Sequence, residues 1–213
     1  MNKEKIILVG GGGHCLSCID VIEASGKFTI AGIIDVKSKI GEKVAGYPIV
    51  ASDDDLNKLV KEYKNFFITI GQIKSAKLRA EKFIKLKELG TNFPVICSPR
   101  SHVARTASLG EGSIIMHDVV VNSGARVGSN CIINSKALIE HESMIGDHTH
   151  IATGAIVNGQ CNVGSEVLLG SGSILINNIN IADRVVIGAG SVVVKDVSTP
   201  GTYIGAPCKK IIK

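Results

Sequence analysis

The chain is 213 residues long, 45% apolar and 20% charged, which excludes a disordered or fibrous protein and leaves room for one large domain or two small ones. Its net charge of +5 comes from 24 basic and 19 acidic residues spread along the sequence, so a nucleic-acid groove is not indicated and a mild preference for small anions is all the charge implies. Seven of its eight aromatic residues precede residue 94, so the stretch from Pro94 to Thr202 must fill its interior with Val, Ile, Leu, Ala and Ser, and two architectures are predicted in one chain.

In chain order, Met1–Lys5 leads into only four apolar residues, too few for a signal peptide, and nowhere do about 18 apolar residues run together. A cytoplasmic protein with no membrane insertion is expected, and its six cysteines (Cys15, Cys18, Cys97, Cys131, Cys161, Cys208) read as reduced thiols. Ile6–Val9 predicts a short buried strand, Gly10–Gly13 and His14 a loop that opens a helix running to about Ala24, and Ala31–Asp35 a second strand ending in an acid. Such a loop aims free backbone N–H groups at phosphate, and the acid commonly takes a ribose hydroxyl. The full dinucleotide fingerprint fails, because Cys15 stands where its third glycine belongs, which argues against a nicotinamide cofactor. The competing reading is that the glycines serve only a tight strand-to-helix turn. Cys15 and Cys18 form a C-x-x-C at a helix start, where the dipole lowers a thiol pKa. A redox motif there competes with two ordinary helix residues of which one packs inward.

Helices are predicted over 55–64 and 75–89 and strands over 66–71 and 92–96, so residues 1–97 read as a small, mostly parallel α/β, Rossmann-like domain. Cys97–Ser101 joins it to residues 98–213. There, every sixth residue from Val103 to Val193 is aliphatic, sixteen in unbroken register, and the residue two before each from Leu109 on is small or branched. A strand alternates in and out with period two, so a period of six with two inward rows means that a turn uses the third inward slot. Three hexads then close a triangular coil of 18 residues. About five such coils stack roughly 4.8 Å apart as an all-β prism too thin for aromatic rings. Gly or Asn often follows the aliphatic residue, as at Gly110, Gly128, Gly146, Gly164, Asn122 and Asn158, where a tight corner is expected to require it. Cys131 and Cys161 fall in the small inward row and read as core.

Of six histidines, His141 stands two residues past the inward Ile139, which puts it on a corner between Glu140 and Glu142. A carboxylate there can accept one ring N–H and fix the tautomer, leaving the other nitrogen to take a proton; a solvated surface histidine is the alternative. One 18-residue coil further on lies Gly159, where only glycine lets a ligand approach the corner backbone closely.

The hexad pattern resembles the left-handed parallel β-helix of the hexapeptide-repeat acyltransferases. The stretch Leu138-Ile139-Glu140-His141-Glu142 through His150 narrows the resemblance, together with Val9-Gly10-x-Gly12-Gly13-His14 and Tyr203-Ile204-Gly205-Ala206-Pro207-Cys208-Lys209. The chain is thereby similar over essentially its whole length to bacterial sugar acetyltransferases of the sialic acid O-acetyltransferase and UDP-4-amino-sugar N-acetyltransferase type. The resemblance implies acetyl-CoA as co-substrate, no metal, and a homotrimer with sites at subunit interfaces. It makes His141 the general base supported by Glu142, gives His150 an acetyl-donor contact, and assigns the nucleotide sugar to Gly12, Gly13, His14 and Asp35. Gly159 becomes a candidate for oxyanion stabilisation or a pantetheine contact, and Lys195, Lys209 and Lys210 for coenzyme A phosphates, unless they are ordinary solvated lysines. Cys208 replaces the usual alanine of the terminal motif, a change conservative in size. Three functions follow: N-acetylation of the 4-amino group of a nucleotide-linked sugar for surface glycan synthesis, O-acetylation of sialic acid or a related sugar, and nucleotide-sugar binding without turnover. Zinc held by His141, His148 and His150 is a rival whose spacing does not match the prism hydratases.

Overall fold

The computed structural model describes residues 3–73 and 75–211; Met1 and Asn2 of the N-terminal stretch lie outside the described residues. The chain begins with β1 (Glu4–Val9), α1 (Gly13–Ser25), β2 (Phe28–Ile34), β3 (Lys43–Val44), β4 (Tyr47–Ala51), α2 (Leu56–Glu62), β5 (Asn65–Ile68) and α3 (Lys77–Glu88). The sheet runs β3-β4-β2-β1-β5, parallel except for the β3 edge. Ile6–Val9 and Asn65–Ile68 are buried throughout because helices cover both faces of the sheet. On one side Ile6, Leu8 and Phe67 meet Cys15, Cys18, Ile19 and Ile22 of α1; on the other Ile7, Val9 and Phe66 meet Leu56 and Leu59 of α2 and Phe83 and Leu86 of α3.

Two strand expectations change. The strand expected over 66–71 stops at Ile68, since Thr69 turns its hydroxyl back onto the carbonyls of Val9 and Gly10, 3.0 and 2.6 Å away. The strand expected over 92–96 reduces to one bridge between Asn92 and Asn65. Pro94 has no N–H to continue that ladder. Ile96–Cys97 instead pairs with Ile114–Ile115, so the first coil already includes both residues.

From there the protein is a left-handed parallel β-helix of two-residue strands. Each strand pairs in parallel with the strand 18 residues away, as in Val120–Leu138–Ile156–Ile174–Val192. Three sheets make three faces. The first contains Ile96–Cys97, Ile114–Ile115, Ile132–Ile133, His150–Ile151 and Leu168–Leu169; the second His102–Val103 through Val192–Val193; the third Ser108–Leu109 through Asn180–Ile181. Both inward rows are buried, for example Ile133 and Ala155 at 0% exposure, and each fully buried Ile or Val contributes roughly 1.5–3 kcal/mol. Inward Ser113, Ser143 and Thr149 are tolerated because each hydroxyl donates to a neighbouring coil carbonyl (Gly128, Asn158, Gly164) and accepts a backbone N–H or lies beside one.

The glycines after the aliphatic row have a different cause from the one expected. They do not adopt positive φ; a Cβ on Gly110 would lie 2.4 Å from the carbonyl carbon of Gly128, and one on Gly146 2.6 Å from that of Gly164. Coil stacking excludes the side chain. The left-handed corner residue comes two positions later and recurs every six: Asp118, Asn130, Lys136, Glu142, His148, Gln160, Glu166, Asn178 and Arg184, with glycine at 112, 124, 154, 172 and 190. Beyond the last hexad, Gly201–Ile204 still pairs with Val185–Ile187 inside the first-face sheet, and Lys209–Lys210 returns antiparallel beside it.

The α/β domain sits on the first face. Asp20 of α1 reaches His117 at the corner between faces one and two, while Arg79 of α3 reaches the carbonyls of Asn130 and His148 at the corner between faces three and one. The third corner, between faces two and three, carries His141 and lies opposite the domain, a prism width away, on the order of 15 Å.

Candidate functional site

A cleft of about 700 Å³ opens at the carboxyl ends of β1, β2, β4 and β5, walled by the glycine loop, by residues 69–73, by Leu78 and Lys82 of α3, and by His150 of the prism. Its four loop glycines divide into two pairs. Gly10 has φ +105° and a Cβ there would meet Ile70, while a Cβ on Gly11 would lie 2.8 Å from Asp35 Oδ2, so both are needed by the fold. Gly12 and Gly13 have neither positive φ nor any atom within 4 Å of the place of a Cβ, and both are exposed. Nothing in the folded chain requires glycine there. Their bareness leaves the first N–H groups of α1, which has no side-chain cap, open to an anion in the cleft.

Asp35 accepts the N–H of Gly11 and of Val36, each at 2.7 Å, and pairs with Lys39 at 3.4 Å. Burial acts to raise its pKa, but those N–H groups and the lysine outweigh it and hold the carboxyl below the ordinary value. His14 and His150 face each other across the cleft with ring centres 6.4 Å apart. Burial first, and the Arg79 charge second, lower His14 to about 4. Burial, then His14, then Arg79 lower His150 to about 3, so both rings are neutral near pH 7. His150 Nδ1 meets the Gln72 carbonyl at 3.3 Å and its Nε2 the Asn134 amide at 3.4 Å, which makes Nδ1 the protonated nitrogen. His14 Nε2 is buried and has no hydrogen-bond partner among the described residues.

Behind these rings Arg79 is 1% exposed and pairs with no carboxylate among the described residues. Its guanidinium donates to Asn130 O and His148 O on successive coils and to Gln72 Oε1 at 2.9 Å; Gln72 Nε2 in turn donates to Glu166 O at 3.3 Å. Arg79 and Gln72 thus tie the cleft wall to three stacked corners of the prism. Neither was among the residues expected from sequence, where Arg79 is one of many basic residues in α3.

His141 stands on its corner with its side chain 55% exposed and Nδ1 3.5 Å from Glu142 Oε2. Gln160, one coil on, donates to the same Glu142 oxygen at 3.0 Å. The imidazole lies over Gly159: a Cβ there would be 2.6 Å from both Cε1 and Nε2 of the ring. Gly159 has no positive φ, so the ring is what excludes a side chain from position 159. Further along this corner column, Lys195 joins Lys209 and Lys210 around a cleft of about 390 Å³. Within one chain the structure therefore separates the expected site residues into a cleft group (Gly12, Gly13, His14, Asp35, His150) and a corner group (His141, Glu142, Gly159), with Lys209 beyond the latter.

His141 lies on a different corner from His148, and among the described residues no group of three His, Cys, Asp or Glu side chains converges as a metal site. Cys15 and Cys18 are both fully buried, and burial first pushes Cys15 up to about 11 and Cys18 well above the ordinary thiol value. This corrects the expectation of a dipole-lowered pKa: desolvation dominates at these positions. A hydrogen-bonded chain missed in the sequence joins Ser98 Oγ to His117 Nδ1 (2.6 Å) and His117 Nε2 to Asp20 (2.7 Å). Ser98 is 3% exposed and also accepts the Arg100 N–H, so its hydroxyl is closed to substrates and the chain serves as an interdomain tie.

The sequence pattern of the PglD N-terminal domain matches residues 5–85. Perosamine N-acetyltransferase from Caulobacter crescentus, solved as a histidine-to-asparagine variant with CoA and GDP-perosamine, is 28% identical over 98% of this chain and 97% of its own, with a TM-score of 0.92. The acetyltransferase domain of PglB from Neisseria gonorrhoeae, in complex with acetyl coenzyme A, is 26% identical over 99% of this chain and 100% of its own, with a TM-score of 0.91. WeeI from Acinetobacter baumannii, 21% identical over 98% of this chain and 100% of its own with a TM-score of 0.86, shares the fold. No curated protein sequence matches the chain. No helix among the described residues is long and apolar enough to cross a membrane.

Proposed function

We propose, from the premise that the chain belongs to the bacterial sugar acetyltransferases of hexapeptide-repeat type, that it transfers the acetyl group of acetyl-CoA to the 4-amino group of a nucleotide-linked amino sugar. The observation that carries this reading is the half-exposed His141 ring lying on Gly159 with Glu142 at Nδ1. Glu142, steadied by Gln160, stands 3.5 Å from Nδ1, where its charge favours the proton on that nitrogen and leaves Nε2 as the base. As the amine nitrogen attacks the thioester carbonyl carbon, His141 Nε2 takes its proton. The tetrahedral intermediate then expels the coenzyme A thiolate, which recovers that proton from the imidazolium. Gly159 leaves room for the His141 ring to lie on the corner backbone, and its N–H, beside that ring, is the donor for the oxyanion.

The nucleotide sugar occupies the glycine-loop cleft, its diphosphate on the N–H groups of Gly12 and Gly13, its ribose at Asp35, and the neutral rings of His14 and His150 lining the wall beside the sugar. Because His141 stands opposite its own domain, the acceptor amine in one cleft meets the His141 of a neighbouring copy. This supports a homotrimer with sites between prisms, and a second observation favours it: the third face offers an open apolar groove of about 620 Å³ lined by Val127, Ile145, Val163 and Ile181, beside Met144, which is 47% exposed. From the thioester at Gly159 the coenzyme A arm follows the corner column toward Lys195, about two coil spacings or 10 Å on, where with Lys209 and Lys210 beside it the phosphates meet cations. Replacing His141 by Ala should lower kcat by about 10²–10⁴-fold with an unchanged melting temperature and oligomeric state. Thiol release at the parental rate with an amino-sugar nucleotide would sink the assignment. A preference for hydroxyl acceptors in the same assay would redirect it to O-acetylation.

A further inference from the structure

The cleft contains one ion pair that the mechanism above leaves without a role. Asp53, just past β4, and Lys82 of α3 both line the cleft and bond to each other, with side chains 47% and 20% exposed. Their position along the sheet gives the pair a meaning. The glycine loop follows β1, Asp35 follows β2 and Asp53 follows β4, and these three strands are consecutive neighbours. With strands about 4.8 Å apart, the step from glycine loop to Asp35 to Asp53 covers roughly 10 Å, the span of a diphosphate, a ribose and a base laid side by side. On the reading that the cleft holds a nucleotide sugar, on which this inference rests, the base falls at Asp53 and Lys82. Val36 and Leu78, exposed at the cleft wall, supply apolar surface for its faces.

We infer that Asp53 and Lys82 read the base, and that they select one carrying a ring N–H beside a keto oxygen: guanine, uracil or thymine. The ammonium has three donors and no acceptor, and the carboxylate only acceptors. Paired side by side, they present a donor next to an acceptor. The O6/N1–H edge of guanine and the O4/N3–H edge of uracil or thymine match that order. Adenine and cytosine present an amino donor beside a bare ring nitrogen, so the same pair sets donor against donor and lone pair against lone pair, and both mismatched contacts count against binding.

The test is binding of free GDP, UDP, ADP and CDP to the full chain, followed by titration calorimetry and by thermal shift. GDP and UDP should bind at least about tenfold more tightly than ADP and CDP. The Asp53→Asn variant, which puts an amide donor where the acceptor stood, should lose most of that preference while keeping its affinity for acetyl-CoA. Lys82→Gln provides the same comparison from the other partner should Asp53→Asn fold poorly. ADP or CDP binding as tightly as GDP and UDP, or an unchanged ranking in a folded variant of either residue, overturns the inference and leaves the nucleotide cleft standing. Binding of acetyl-CoA with no binding of any nucleotide overturns the cleft assignment itself, and this inference with it.

Discussion

The two halves of this chain position functional groups by opposite means. In the prism a residue's place follows from counting: His141, Gly159 and Gln160 meet because 18 residues separate a corner from the same corner of the next coil. In the α/β domain the place of each cleft residue depends on irregular detail: a loop with φ +105° at Gly10, a strand that stops at Ile68, a buried arginine that no periodicity announces. Regular repetition makes a site readable and confines it to corners; irregular packing makes a deep cleft. The chain needs both, since a prism too thin for a ring side chain is also too thin to enclose a sugar nucleotide.

The sharpest way to break this division is to cut the tie between the halves. Arg79→Met should destabilise the chain by about 4 kcal/mol, because three buried acceptors lose a donor at once. Chemical denaturation measures it, and a cost under about 1 kcal/mol would mean the halves are energetically independent. Within the prism, Gly159→Ala should lower kcat about 100-fold by displacing the His141 ring, with stability nearly unchanged. An effect on the binding of nucleotide sugar instead would show that the corner and the cleft are not separate.

At the seam, the folded-state values of His14 (about 4) and His150 (about 3) lie below the ordinary 6.5. Groups depressed in this way bind fewer protons folded than unfolded, so stability is complete above pH 6.5 and falls as the pH drops through 4 toward 3, by about 2 kcal/mol for each histidine at pH 5. Melting temperature against pH should show this slope, and a His14→Asn, His150→Asn double variant should flatten it. The smallest effect is expected at the far end of the corner column. Lys195→Gln with Lys209→Gln should raise KM for acetyl-CoA about fivefold at constant kcat; a change in KM for the nucleotide sugar alone would move coenzyme A elsewhere.

The sequence made the prism almost entirely legible, down to Gly159 beneath His141, because period six and period eighteen are both written in residue types. It misled at the corners. Glycine or asparagine after many of the aliphatic residues suggested that the tight corner falls there, whereas the left-handed residues stand two positions on, where Asn, His, Glu and similar types alternate with glycine and an outward polar side chain hides the backbone requirement. In the α/β domain the glycine loop and Asp35 were visible, and the structure separates what the sequence could not: Gly10 and Gly11 serve the fold, Gly12 and Gly13 the opening. Arg79, Gln72 and the Ser98–His117–Asp20 chain left no trace, since their partners lie up to 97 residues away and each is an ordinary residue in its local context.

The antiparallel return of Lys209–Lys210 beside Gly201–Ile204 bears on solubility. A stack of parallel coils exposes unpaired backbone at its last rung, a template on which another chain could add strands indefinitely. Here that rung receives a two-residue strand of reversed direction whose lysines are both exposed, too short and too charged for further pairing. The same few residues proposed to meet the coenzyme A phosphates therefore also guard against the aggregation to which a protein built from stacked strands is most prone.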